Sequence, residues 1–347
     1  MSAFISTQSI SSSLRQSVLK MQTELAASET EVSTGNYADI GLSLGSETGQ
    51  SVSLQAETSF LQTISDTNSS VSTRLSTIQN NLSEMQTSAQ TLLNSLLATN
   101  GATTSAVTAQ STGSNSLKSL IATLNSTLNG DYIFSGINTG NAPVTDYSAA
   151  NAPNKQAVDA AFAAAFGMSQ TSAGVSGISG SAMQSFLNTQ FASLFQGTNW
   201  TTNWSSASDQ TLTNTIAPNQ TENTSVTANQ AAFQELTQAY VMVSDLGGQN
   251  LSQSAYQAVT NTASKLLTSA INGLTDIQAG VGVVQSSVAS ANSQMSLQMD
   301  ILSTQVSNLE SVNTYEASTR VSELQTQIET SYSLTSQLKQ LSLVQFL

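Results

Sequence analysis

VSTRLSTIQNNLSEMQTSAQTLLNSL, residues 71–96, decides the fold. Val71, Leu75, Ile78, Leu82, Met85, Ala89, Leu92 and Leu96 follow one another in unbroken steps of four and three. That spacing puts all eight on one stripe of an α-helix, as in a coiled-coil seam. The seam extends back through Ile64, Leu61 and Leu54, with Asn68 and Glu57 as polar interruptions. The pattern predicts a helix over 49–99, ended by Asn100-Gly101. About 50 residues at ~1.5 Å each make a rod of roughly 75 Å.

Outward from this rod, both ends of the chain carry similar seams. Leu14, Val18, Met21, Leu25 and Val32 share one stripe, with Ser28 in the remaining slot. They predict a helix over 11–33, with Gly35 suited to close it in the left-handed conformation. At the other end, Met295, Met299, Leu302, Val306 and Leu309 share a stripe. The register shifts around 313–317, as a stutter would produce, and resumes with Val321, Leu324, Ile328, Leu334, Leu338 and Leu341. This predicts one helix from near Gly282 to Phe346. Chain ends usually fray, yet here the apolar pattern runs to the termini. Such seams bury against each other or against other subunits, which points to assembly.

Between the arms the pattern changes. A third helix is expected over 102–128, stopped by Asn129-Gly130. GDYIFSG follows, with Tyr132, Ile133 and Phe134 as a short strand-like run. Residues 136–226 hold all three prolines, both tryptophans and many glycines. Short helices are expected over 157–166 and 183–195, and two strands over 212–216 and 222–226 around Pro218-Asn219. Tyr132 and Phe134 are expected in a core, and Trp200 and Trp204 as anchors of this insertion. Helical spacing returns at Phe233, Leu236, Tyr240 and Val243, then at Tyr256, Val259, Ala263, Leu266, Ala270 and Leu274. The fold class is mainly α: an elongated helical bundle or coiled coil from N- and C-terminal arms, with a small inserted α+β domain. The expected division is 1–48 (N-terminal assembly arm), 49–135 (rod), 136–226 (insertion), 227–305 (rod) and 306–347 (C-terminal assembly arm).

Composition excludes several functions. The net charge is −13, and the eight basic residues are scattered. No basic patch can form, so neither nucleic acid nor an anionic membrane is an expected partner. With no His and no Cys, Ser-His-Asp and Cys-His catalysis and Cys/His zinc sites have no residues to use. No phosphate-binding loop and no Asp-rich calcium loop is present. Glu29/Glu31 and Glu316/Glu323 sit on expected helices and read as solvated faces. No enzyme, cofactor or metal is expected. No stretch of 18 apolar residues occurs, and residues 1–16 lack the charged and apolar regions of a usual signal peptide.

Three stretches resemble the flagellin superfamily, and most closely its flagellar hook-associated protein 3 family, which joins hook to filament. Residues 6–45, STQSISSSLRQSVLKMQTELAASETEVSTGNYADIGLSLG, are similar to the family opening, with Ser33-Thr34-Gly35 as its Ser/Thr-Gly loop. GDYIFSGINT, residues 130–139, is the most specific piece, with Gly130, Tyr132, Ile133, Phe134 and Gly136 as the family motif. Residues 319–347 are similar to the family's C-terminal helix. One departure is Ala38-Asp39-Ile40-Gly41-Leu42, where many members have a Ser-Asp-Asp-Pro-like sequence.

The resemblance implies a non-enzymatic structural adaptor on the extracellular flagellum at the hook-filament junction. It implies export through the flagellar type III apparatus and termini that fold on assembly. Implied partners are the first hook-associated protein, flagellin, further copies of the chain in a ring, and a cytoplasmic export chaperone. The interface would use Phe4, Ile5, Leu14, Val18, Met21 and Leu25 with Leu334, Leu338, Leu341, Val344, Phe346 and Leu347. Burying one such side chain contributes about 1.5–3 kcal/mol. Ordering one residue costs about 1–2 kcal/mol. Two apolar positions in seven therefore leave a lone arm marginal. Competing readings are a filament flagellin, a type III secreted effector with its site in the insertion, and a coiled-coil signalling rod.

Overall fold

The computed structural model describes residues 7–98, 106–246, 248 and 250–344. It is mainly helical. In chain order the elements are α1 (Thr7–Thr34), α2 (Ile40–Leu44), a 3-10 turn (Gly45–Glu47), α3 (Thr48–Ala98) and α4 (Ala106–Leu124). A short hairpin, β1 (Thr127–Leu128) and β2 (Asp131–Tyr132), precedes α5 (Pro153–Phe166) and a 3-10 turn (Ala173–Gly177). Then come α6 (Gly180–Phe186), a π-turn (Leu187–Phe191) and α7 (Gly197–Asn203). A second hairpin, β3 (Thr213–Ala217) and β4 (Gln220–Asn223), leads to α8 (Ala231–Leu246), α9 (Gln253–Glu310) and α10 (Thr314–Val344). Both strand pairs are antiparallel. By their contacts the residues fall into two compact units, 1–63 with 294–347, and 64–293.

In the unit of residues 64–293, one hydrophobic core is continuous from Val71 to Ala291. All eight seam residues of α3 from Val71 to Leu96 are buried, as their spacing requires. Gly113 of α4 lies against Val243 of α8, where an added Cβ would stand 3.1 Å from the valine side chain. α3 and α9 run antiparallel: Gln86 Nε2 donates to Thr275 Oγ1 at 3.1 Å, and Asn68 Nδ2 to Asn292 Oδ1 at 2.7 Å. The insertion contributes an aromatic chain to the same core. Phe162, Phe186, Phe191, Phe195 and Trp204 meet in sequence at centroid distances of 5.0–5.8 Å. Trp200 and Trp204 are both buried, stacked at 5.8 Å. Tyr147 also stacks on Trp204, at 5.4 Å.

In the unit of residues 1–63 and 294–347, α1 pairs with α10 and the start of α3 with the end of α9. Both pairs are antiparallel. Gln22 Nε2 donates to the Tyr332 hydroxyl at 2.9 Å, and Gln298 Nε2 to Glu57 Oε1 at 3.2 Å.

Several boundaries differ from the sequence reading: α4 ends at Leu124 rather than 128, with Thr127–Leu128 paired as β1, and α6 ends at Phe186 in a π-turn rather than running to 195. α9 begins at Gln253 and runs through Gly280 and Gly282 without interruption, because its seam residues Leu274, Val281 and Val288 stay buried across them. Conversely, the expected stutter is a true break. Ser311, Val312 and Asn313 leave the helix, and backbone bonds to the turn after α1 replace the lost helical ones. Tyr37 N–H donates to the Glu310 carbonyl and Val312 N–H to the Gly35 carbonyl, at 2.9 and 2.8 Å. Asn313 Oδ1 then caps α10 by accepting from Tyr315 N–H at 3.1 Å.

Candidate assembly interface

The terminal arms place their apolar residues unevenly. On α1, Val18 and Ser28 are buried, and Leu14, Met21 and Leu25 are half-buried. On α10, Ala317, Leu324 and Ile328 are buried, with Val321, Ser331 and Thr335 half-buried. These α10 positions keep the four-three spacing throughout. Stepping from Ile328 to Leu334, as the apolar residues alone suggest, breaks that spacing. The helix instead puts Ser331 and Thr335 in the slots and leaves Leu334 off the seam, 47% exposed. Leu338, Leu341 and Val344 lie on α10, but their side chains are outside the described set. Phe4, Ile5, Phe346 and Leu347 are outside the described residues altogether.

A polar clamp that apolar patterning does not reveal holds the turn of this unit. Glu310, at the end of α9, is buried. Its carboxylate accepts from the Ser51 hydroxyl and from Gln55 Nε2, the latter at 2.7 Å. Its carbonyl accepts from Tyr37 N–H. A buried charge needs such partners.

The two units differ in how they treat large apolar side chains. Among the described residues, ten of the fourteen exposed large hydrophobics belong to the unit of 1–63 and 294–347, although it is the smaller. Leu42 and Tyr315 are the extremes, at 83% and 82% exposed. Phe60 on α3 and Leu297 and Ile301 on α9 also face outward. Scattered surface hydrophobics are ordinary, but here they concentrate on one unit.

The motif at 130–136 lies in the other unit and is a backbone junction. Asn129 and Gly130 both have positive φ, 56° and 93°, forming the tight turn between β1 and β2. Ile133 N–H donates to the Ser126 carbonyl at 3.2 Å. The Phe134 carbonyl accepts from Ala228 N–H at 2.7 Å, and the Ser135 carbonyl from Ser208 N–H at 2.9 Å. Phe134 is fully buried, edge-on to Phe233 of α8 at 5.7 Å. Gly136 has a φ of 63°, and a Cβ there would sit 2.5 Å from the carbonyl oxygens of Ser208 and Gln210. Only glycine meets both conditions. The motif thus ties the end of α4 to the segment that leads into α8.

A polar cluster lies under the insertion. Lys155 pairs with Asp159 and, at 3.2 Å, with Asp245. Asp245 also accepts from the Tyr147 hydroxyl at 2.6 Å, and Asp159 from Gln170 Nε2 at 2.8 Å. These charges serve one another. Among the described residues no group of three or more His, Cys, Asp or Glu could hold a metal ion, and no helix is long and apolar enough to cross a membrane.

Paired terminal helices that leave apolar side chains exposed are the features of a structural subunit. Residues 5–139 match the bacterial flagellin N-terminal helical region, and residues 264–347 the bacterial flagellin C-terminal helical region. The chain belongs to the flagellin superfamily and is a structural subunit of the extracellular bacterial flagellum, a family whose members assemble with other axial components. No match to the curated proteins was found.

Proposed function

We propose that this chain is the adaptor that joins the flagellar hook to the filament. The observation that carries its role in assembly is the concentration of exposed apolar residues on the arm unit. What favours the junction over the filament is GDYIFSGINT at 130–139, which resembles the junction proteins. The arms, 1–48 and 306–347, are the assembly elements, and 136–226 is the variable insertion. Leu334, exposed on α10 and off the α1-facing seam, contacts neighbouring subunits. Leu338, Leu341, Val344, Phe346 and Leu347 extend that contact, with Phe4 and Ile5 opposite. The chain is exported unfolded, its C-terminal segment shielded by a cytoplasmic chaperone, and its neighbours are the first hook-associated protein, flagellin and further copies of itself in a ring. It carries no catalytic activity and needs no cofactor.

Immunogold labelling of detached flagella tests the position. A single spot where hook meets filament is the expected result. Label along the whole filament would make the chain a filament flagellin, the second reading, with which the matches to both flagellin terminal regions are equally compatible. Coupled folding is tested by circular dichroism of monomer against assembled protein. Equal helix content in the two states would refute it.

A further inference from the structure

The α3 seam is apolar at every four-three slot from Val71 to Leu96, and the α9 seam is nearly so from Val259 to Val288. Seams this regular have a weakness. A slip of one heptad moves every apolar residue onto another apolar slot, so packing alone discriminates poorly between registers. The interruption is Asn68. It occupies the slot between Ile64 and Val71 and is fully buried. One Nδ2 hydrogen goes to Asn292 Oδ1 of α9 and the other to the Ile216 carbonyl of β3, both at 2.7 Å. Asn292 is half-buried at the edge of the α9 seam, next to Ala291, which fills the slot between Val288 and Met295. Ile216 stands where the β3–β4 pairing shifts register between Thr215 and Ala217, outside the regular ladder. Its carbonyl is therefore open to Asn68.

We propose that Asn68 and Asn292 are the register determinant of this fold: they fix how α3 pairs with α9 and where the β3–β4 hairpin sits. In the observed register the two amides meet. In a register slipped by seven residues each faces other neighbours, and the Ile216 carbonyl loses its donor. Asn68 Oδ1 has no hydrogen-bond partner in its buried position. The amide is thus tolerated at a cost that a leucine would not carry, as for a residue that serves specificity rather than stability. The inference concerns pairing within one chain and stands whether the subunit sits at the junction or along the filament.

The chain has no cysteine, so engineered pairs report register cleanly. Gln86 and Thr275 touch, so Q86C/T275C reads the observed register, while Q86C/T268C reads a slip of one heptad. In the otherwise unchanged full-length chain, only the first pair should form a disulfide on mild oxidation. In Asn68→Leu the slipped pair should crosslink at least roughly tenfold more than in the unchanged background. Asn292→Leu, which keeps the Asn68 bond to Ile216, should show the same gain and decides the matter if Asn68→Leu does not fold. Crosslinking confined to Q86C/T275C in every variant that folds would overturn the proposal. So would failure of both variants to fold, which would make the amides stability elements.

Discussion

Gly136 holds a left-handed φ where the carbonyl oxygens of Ser208 and Gln210 crowd the missing side chain. Gly136→Ala must move the Ser208–Gln210 backbone or break the Ser135–Ser208 bond. Strained φ and overpacking each cost about 1–3 kcal/mol. A loss of roughly 3 kcal/mol is expected in urea unfolding, whereas Gly130→Ala, with open space around its Cβ, should cost only the φ strain. Phe134→Ala should cost about 3–5 kcal/mol, because it empties a fully buried site beside Phe233. The sequence marked these residues as a strand-like run between turn formers. It did not show that the partners would be Ser208, Gln210 and Ala228, which lie over 70 residues away. Backbone pairing at such separation leaves no local pattern. Glu310 was hidden for a related reason, since a lone carboxylate looks the same in sequence whether it is solvated or clamped.

At the scale of elements, α1 and α10 carry the clearest contrast. Leu324 is buried on the α1-facing side of α10, and Leu334 is exposed. Leu324→Ala should weaken the pairing of the arms by about 2 kcal/mol or more. Its mark is loss of helical circular dichroism in the monomer. Leu334→Ser should leave that signal unchanged and slow polymerisation measured by light scattering. Equal effects of the two substitutions in both measurements would remove Leu334 from the intersubunit contact. The heptad made α3 legible from Val71 to Leu96, and its start agrees with the structure within one residue. It misled at Leu334, where apolar identity was followed instead of spacing. The α9–α10 break was legible as a shift in register. Its nature was not, because the backbone groups that satisfy it come from Gly35 and Tyr37.

For the whole molecule, pH and salt act on different parts. Burial pushes the Tyr240 phenol up to about 12. Burial and the neighbouring Asp245 push Tyr147 well above the usual phenol range, and burial raises Tyr256. Burial opposes the charge on Lys155, but the hydrogen bond and attraction from Asp159 and Asp245 outweigh it and raise its pKa. In each case the folded protein holds its proton more tightly than the unfolded chain. Stability from these groups is complete below pH ~10 and is lost as pH rises above it, at up to about 1.4 kcal/mol per pH unit per group. Urea midpoints should therefore fall steeply above pH ~10, and Tyr240→Phe should flatten that slope. Assembly should respond to salt instead. Subunits of net charge −13 repel, so added salt should speed polymerisation by screening them. Faster assembly at low ionic strength would mean that specific charge pairs, not apolar faces, join the subunits.

The sequence by itself determined which segments are helices, which stripe of each is apolar, and that His- and Cys-based chemistry is absent. Those properties are local, carried by spacing and composition. Tertiary structure alone decided that the insertion shares one core with α3, α4, α8 and α9, that α9 breaks at 311–313, and which arm residues remain uncovered. Near-identical heptads allow many pairings on paper. Asn68 and Glu310, both buried, and the half-buried Asn292 take partners that are set only when distant segments meet.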